Sequence, residues 1–209
     1  MKKVTVTLLI VMMLFLSACG ALSKVKTSTI YVDKKGKVTS VTIASLPADQ
    51  YNEEELKASI EEEILAYNGD EEKAKIKLNE FKVKKEQATL RITYATSDDY
   101  EAFNGRVLFT GTVAEAQAAG FDFAGEFLDT SKTAIKGSTL VKDAAEEKVI
   151  ITNEPVQVQT YKDIMYTSAN ATIVDKRIAQ VESEAGATEN GITFGNEENA
   201  YIIYGEPKE

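Results

Sequence analysis

Two runs rich in β-branched residues open the patterned part of the chain. Thr29-Ile30-Tyr31-Val32 and Val38-Thr39-Ser40-Val41-Thr42-Ile43 have strand composition, and Asp33-Lys34-Lys35-Gly36 between them has turn chemistry. The pattern predicts a hairpin over 28–33 and 37–44. A helix follows from Asn52, a good N-cap. Glu55 stands in capping-box position, and Glu53, Glu54 and Glu55 suit the positive end of the helix dipole. Leu56, Ile60, Ile64 and Tyr67 form one apolar stripe opposite Lys57, Glu61 and Glu62, and Asn68-Gly69 ends the run.

Alternation returns over 75–84 with a fault. Ile76 and Leu78 share one parity, Phe81 and Val83 the other, so Asn79-Glu80 predicts a β-bulge. Ala88, Leu90, Ile92 and Tyr94 then alternate with Thr89, Arg91 and Thr93. Residues 28–95 thus read β-β-α-β-β, an antiparallel sheet with a helix packed on one face, and the fold class is α+β.

Further on, Ser97 is read as the cap of a short helix over 98–103, stopped by Asn104-Gly105, and 107–110 as a strand. Thr112 and Glu115 repeat the capping-box pattern before a helix over 113–119 closed by Gly120. That helix is short and alanine-rich, so it must lie against a flat surface. From Phe121 helical signals vanish and a mostly β part is expected, with strands at 139–141, 148–152, 156–160, 164–167, 171–175 and 201–204. Pro155 fits a strand start or an edge. Residues 182–199 are poor in apolar side chains and read as a long loop. The pattern leaves open whether 121–209 is a separate β domain, with a sub-boundary near 121–130, or completes the first sheet.

Ahead of this stands a leader. Met1-Lys2-Lys3 is cationic, Val4 to Leu16 is apolar apart from Thr5 and Thr7, and Ser17-Ala18 is small. The run is too short for an ordinary membrane span and reads as a secretory signal. Leu16-Ser17-Ala18-Cys19, followed by Gly20, resembles the lipobox of bacterial lipoproteins. The resemblance implies removal of residues 1–18, a diacylglyceryl group on Cys19, a lipidated tether over 19–27 and a globular domain over 28–209. It implies a lipoprotein anchored on the outer face of a cell membrane, with a single-membrane bacterium the better fit. Cys19 is the sole cysteine of 209 residues. Two acyl chains hold firmly where one binds reversibly. A tether of about eight residues to Thr27 reaches less than about 30 Å.

Composition narrows the chemistry. The chain has no histidine, which excludes Ser-His-Asp and Cys-His nucleophilic machinery. With its cysteine assigned to lipid, thiol catalysis, disulfides and the usual Cys/His zinc sites go too. No phosphate-cradling or dinucleotide glycine pattern occurs, so no cofactor is expected. The net charge of −9 becomes two units more negative without Lys2 and Lys3. Such a surface disfavours nucleic acid and anionic lipid headgroups.

Carboxylates, tyrosines, serines and lysines remain. Asp98, Asp99, Asp122 and Glu126 are candidate paired carboxylates, although acids at a helix start also suit the dipole. The loops 68–72 and 195–199 are oxygen-rich, as a cation would want, without the spaced ladder of a helix-loop-helix calcium site; no metal ligand is assigned. Tyr100 and Phe103, with Asp122, are candidate ligand-binding residues on a groove floor for glycan or peptide, while Tyr100 and Phe103 at helical spacing are more often simply core. Tyr201 and Tyr204 could reach a surface from a last strand. Ser131-Lys132 are adjacent without any flanking catalytic motif. The sequence therefore points to a non-catalytic binding or structural lipoprotein whose partner is an envelope protein or a wall ligand. Two alternatives stand beside it: an Asp/Glu-dependent glycan-acting or glycan-binding protein, and a solute-binding or transport accessory. Two-lobed receptors need a longer chain than this one.

Overall fold

A computed structural model describes residues 22, 25–47, 51–70, 72–183, 188–189, 192–193 and 198–206; the leader and Cys19 lie outside them. The first hairpin forms as its residues dictate. β1 (Thr29–Val32) pairs antiparallel with β2 (Val38–Ser45), Ile30 opposite Ser40. In the turn, Asp33 Oδ1 accepts from the amides of Lys35 and Lys37 at 2.7 and 3.0 Å, and Gly36 takes φ 79°.

Helix α1 (Glu53–Asn68) starts where Asn52 Oδ1 accepts from the amides of Glu54 and Glu55 at 2.9 and 3.2 Å. It stops at Gly69, φ 55°. Asn68 then ties its end to the next strand, with bonds of 2.9 Å to both the amide and the carbonyl of Ile76. Ile64 is buried on this helix, and Ile60 and Tyr67 pack beside it. β3 (Ile76–Lys84) and β4 (Gln87–Tyr94) pair with a register shift between Leu78 and Glu80, so the fault in parity is a bulge. Their turn holds Lys85 and Glu86 at φ 52° and 60° without a glycine.

Helix α2 (Ser97–Asn104) begins one residue earlier than the sequence suggests. Its cap is Thr96, whose Oγ1 accepts from the amide of Asp99 at 3.1 Å and donates to Asp99 Oδ2 at 2.7 Å. Ser97 is buried instead, and its Oγ accepts from the Thr110 hydroxyl at 3.2 Å. After β5 (Leu108–Thr112), α3 (Val113–Ala118) carries both halves of the capping box between Thr112 and Glu115. Val113 and Ala116 are fully buried.

The remaining elements are β6 (Glu126–Asp129), β7 (Ala134–Lys136), α4 (Gly137–Asp143), β8 (Lys148–Thr152), β9 (Gln157–Gln159), β10 (Asp163–Ser168), β11 (Ala171–Asp175), β12 (Ile178–Val181), the two-residue strands β13 (Thr188–Glu189) and β14 (Ile192–Thr193), and β15 (Ala200–Gly205). Two expectations are corrected here. Helical structure does not vanish after Phe121, and 139–141 is helix, not strand. Thr139-Leu140-Val141 looks β-like by composition, but only Leu140 is fully buried. A close approach at the helix start fixes the geometry: the Gly137 amide donates to Gly125 O at 2.9 Å, and a Cβ there would lie 1.6 Å from Phe123 O.

The strands form two large sheets, ordered β11-β12-β9-β1-β2-β4-β3 and β5-β8-β15-β10-β6-β7. Residues past 121 therefore complete the first sheet and supply most of the second. β9 joins β1 in parallel, with Ile30 opposite Val158. One core lies between the sheets and under α1 and α2; a second lies on the far face of sheet two, under α3 and α4. Sheet two is thus covered on both faces at its centre. On β15, Ala200, Ile202 and Tyr204 enter the first core while Tyr201 and Ile203 enter the second. A strand covered on both sides reads as a continuous apolar run. Tyr201 and Tyr204 accordingly do not reach the surface; they are 9% and 2% exposed.

Candidate functional site

A cleft of about 880 Å³ opens beside α4, between the β6–β7 turn, β10 and Lys176. A second irregularity shapes it. β10 shifts register against β15 between Ile164 and Tyr166, which places Met165 as the inserted residue on the cleft wall. Ile135, Leu140 and Tyr166 give the cleft apolar lining continuous with the second core. Asp129, Asp143 and Asp163 add carboxylates, and Lys176 one cation.

These acids are already engaged. Asp129 Oδ1 accepts from the amides of Ser131 and Thr133, both at 2.8 Å, which builds the turn that holds Lys132 at φ 63°. Asp163 Oδ1 accepts from Arg177 Nε at 2.8 Å. On the other side of Asp163 a smaller hollow of about 360 Å³ is lined by Lys34, Tyr161, Lys162, Arg177 and Glu206. There Lys162 pairs with Glu206 at 3.1 Å, which holds the lysine above its ordinary pKa. Such exposed pairs contribute little to stability. Their effect is local, since they fix which charges face the two hollows.

The residues singled out by sequence lie apart from this cleft and from one another. Tyr100 is 3% exposed and donates its hydroxyl to Glu154 Oε2 at 2.5 Å. Phe103 packs edge-on to Tyr67 at 5.8 Å and tilted against Tyr94 at 6.1 Å. Both belong to the first core. Asp122 is exposed near Tyr201, a residue of the second core, and its Oδ1 accepts from the amide of Ala124 at 2.8 Å. A central sheet stands between them, so the three do not form a groove floor. Asp99 accepts from the Tyr67 hydroxyl at 3.1 Å besides its capping bonds. Asp98, Glu126, Ser131 and Lys132 are exposed. Of the oxygen-rich loops, Asn68 serves the Ile76 backbone, while Glu71 and 195–197 lie outside the described residues. Among the described residues no three His, Cys, Asp or Glu side chains cluster as metal ligands.

Sequence reading missed Glu154. Its carboxyl is pushed above the usual carboxylate range by desolvation, and the Tyr100 hydrogen bond and Arg106 offset only part of that. Burial and the Glu154 charge together push the Tyr100 hydroxyl well up. The pair borders a hollow of only about 90 Å³ with Ser28 and Ser40. A lone Glu before Pro155 carries no sequence signal that a tyrosine 54 positions earlier will meet it.

No protein-family model, curated protein or solved structure matches this chain.

Proposed function

We propose that the chain is a lipid-anchored extracytoplasmic protein of a bacterial envelope whose cleft beside α4 holds a ligand without transforming it. The observation that carries the binding role is the pairing of an apolar floor with two carboxylates, Asp129 committed to its turn and Asp163 to an ion pair. Burial of apolar surface supplies the attraction and the fixed negative charges supply orientation. The ligand that suits this lining is a peptide segment, from an envelope protein or the wall, with apolar side chains and an amine.

The glycan-hydrolase reading fits less well. A histidine-free hydrolase needs two carboxyls across the substrate, one of them raised by burial. The carboxyl raised in this way, Glu154, borders the small hollow with Tyr100, whereas Asp129, Asp143 and Asp163 line the large cleft. The deciding experiment is a titration of the detergent-solubilised protein with fluorescent wall-derived and synthetic peptides carrying Leu and Lys. Saturable binding that Ile135→Lys abolishes while the fold survives supports the reading. Turnover of wall glycan, lost on Glu154→Gln, overturns it.

A further inference from the structure

Leu22 is 2% exposed, and its carbonyl accepts from Arg91 Nη2 at 3.0 Å. Arg91 stands on the outer face of β4, since its neighbours Leu90 and Ile92 pack into the first core. Its side chain is only 13% exposed and is also held by Glu80 at 3.4 Å. Opposite Arg91 on β2 lies Val41, buried at 2% yet outside both core clusters. The chain just after the lipobox is therefore pinned onto the outer face of the first sheet. Leu22 stands three positions after Cys19, a reach of at most about 11 Å. That shortens the tether expected from sequence, which ran to Thr27.

The same face carries cations. On β3, Lys77, Lys82 and Lys84 pair in register with Thr93, Thr89 and Gln87, on the Arg91 side of the sheet, and all three lysines are exposed. Glu80 is the acid among them, and it is committed to Arg91 and Lys82. On the opposite side of β3 lies α1, whose exposed surface bears Glu54, Glu61 and Glu62. An acidic protein thus turns a basic stripe toward its anchor and an acidic helix away from it.

We infer that the outer face of β3 and β4, around Arg91 and Lys77, Lys82 and Lys84, rests on an anionic lipid surface. This builds on the proposed lipid at Cys19. The anchor delivers that face to the bilayer, and the lysines meet lipid headgroups within a Debye length, where such attraction acts. Whole-chain charge disfavours anionic lipid, and the local distribution reverses that on this one face.

The test reconstitutes the full lipidated chain in phosphatidylglycerol-rich vesicles bearing a headgroup quencher. A fluorophore is attached through Lys82→Cys or, on α1, through Glu62→Cys. The expected result is quenching several-fold stronger at 82 than at 62. That contrast should fall in pure phosphatidylcholine, with Lys77→Glu and Lys84→Glu together, and at about 1 M salt, where the Debye length is about 3 Å. Equal quenching at the two positions, or stronger quenching at 62, overturns the inference. A contrast unchanged in phosphatidylcholine overturns the anionic partner. Intact mass of the same sample separates the failures: an unmodified Cys19 sinks the anchor and this inference together, whereas a lipidated Cys19 without contrast sinks this inference alone.

Discussion

The Tyr100 hydroxyl donates to Glu154 Oε2 across 2.5 Å, which ties α2 to the loop ahead of β9 inside the first core. The bond places a carboxylate where water solvates it poorly, and burial outweighs the partners that favour its charge.

Stability should therefore carry a pH signature from Glu154. Its folded pKa exceeds the unfolded one, so the folded state binds the proton more tightly. The penalty for burying the charge is full above the raised folded value. It is relieved as pH falls through that value toward the ordinary carboxylate range. Glu80 and Glu115 have lowered values and act with the opposite sign, favouring the fold above the ordinary range and losing that contribution as pH falls through their folded values. Urea midpoints of wild type and Glu154→Gln, compared from about pH 4 to about pH 8, isolate the Glu154 part. The wild type should lose ground to the variant as pH rises; parallel curves would refute it.

Tyr100→Phe removes the donor and leaves the half-buried carboxylate without it. The expected loss is about 1–3 kcal/mol at neutral pH, and less in acid where the carboxyl is protonated. Chemical denaturation at the two pH values checks both size and trend. An equal loss at both would mean that packing, not charge, is what the hydroxyl serves.

Two glycines should part company. Gly137→Ala forces a Cβ against Phe123 O, a backbone atom, and should cost on the order of 3 kcal/mol or prevent folding. At Gly125 a Cβ meets nothing within 4 Å, so Gly125→Ala should stay within about 0.5 kcal/mol of wild type. Melting temperatures of the pair are the readout, and similar values for both would contradict the close approach at the start of α4.

The β3–β4 turn is improvable. Lys85 and Glu86 both occupy positive φ, a conformation that glycine and asparagine take more cheaply. Lys85→Asn with Glu86→Gly should stabilise by up to about 1 kcal/mol, measured by urea unfolding. A loss would show that the side chains of the turn matter more than its backbone.

How legible this molecule is from sequence depends on whether a residue's environment repeats. The first hairpin, α1, the bulge at Asn79-Glu80 and the capping box at Thr112 follow from local spacing, and each is present. The short pieces were not legible. β6, β7 and β12 have four, three and four residues, too few to show parity. Helix α4 depends on a glycine meeting a distant backbone, which no local pattern encodes. The sites fared worse. Tyr100 and Phe103 at helical spacing fit a core, and they pack there, but the tyrosine's partner, Glu154, lies 54 residues away and is not legible from local spacing. The cleft is lined from β10, a strand the alternation shows, and from β6, β7 and α4, which it does not. Leu22 and Arg91 are 69 residues apart, and neither carries a motif.

The most direct test of the central claim compares wild type with Cys19→Ala, produced in a single-membrane bacterium, by detergent phase partition and intact mass. Wild type should lose residues 1–18, gain a diacylglyceryl group and enter the detergent phase, and Cys19→Ala should stay in the aqueous phase or retain its leader. A Cys19→Ala protein that partitions into detergent as fully as wild type, with a cleaved and lipid-free N-terminus, would contradict the anchor on which the function rests.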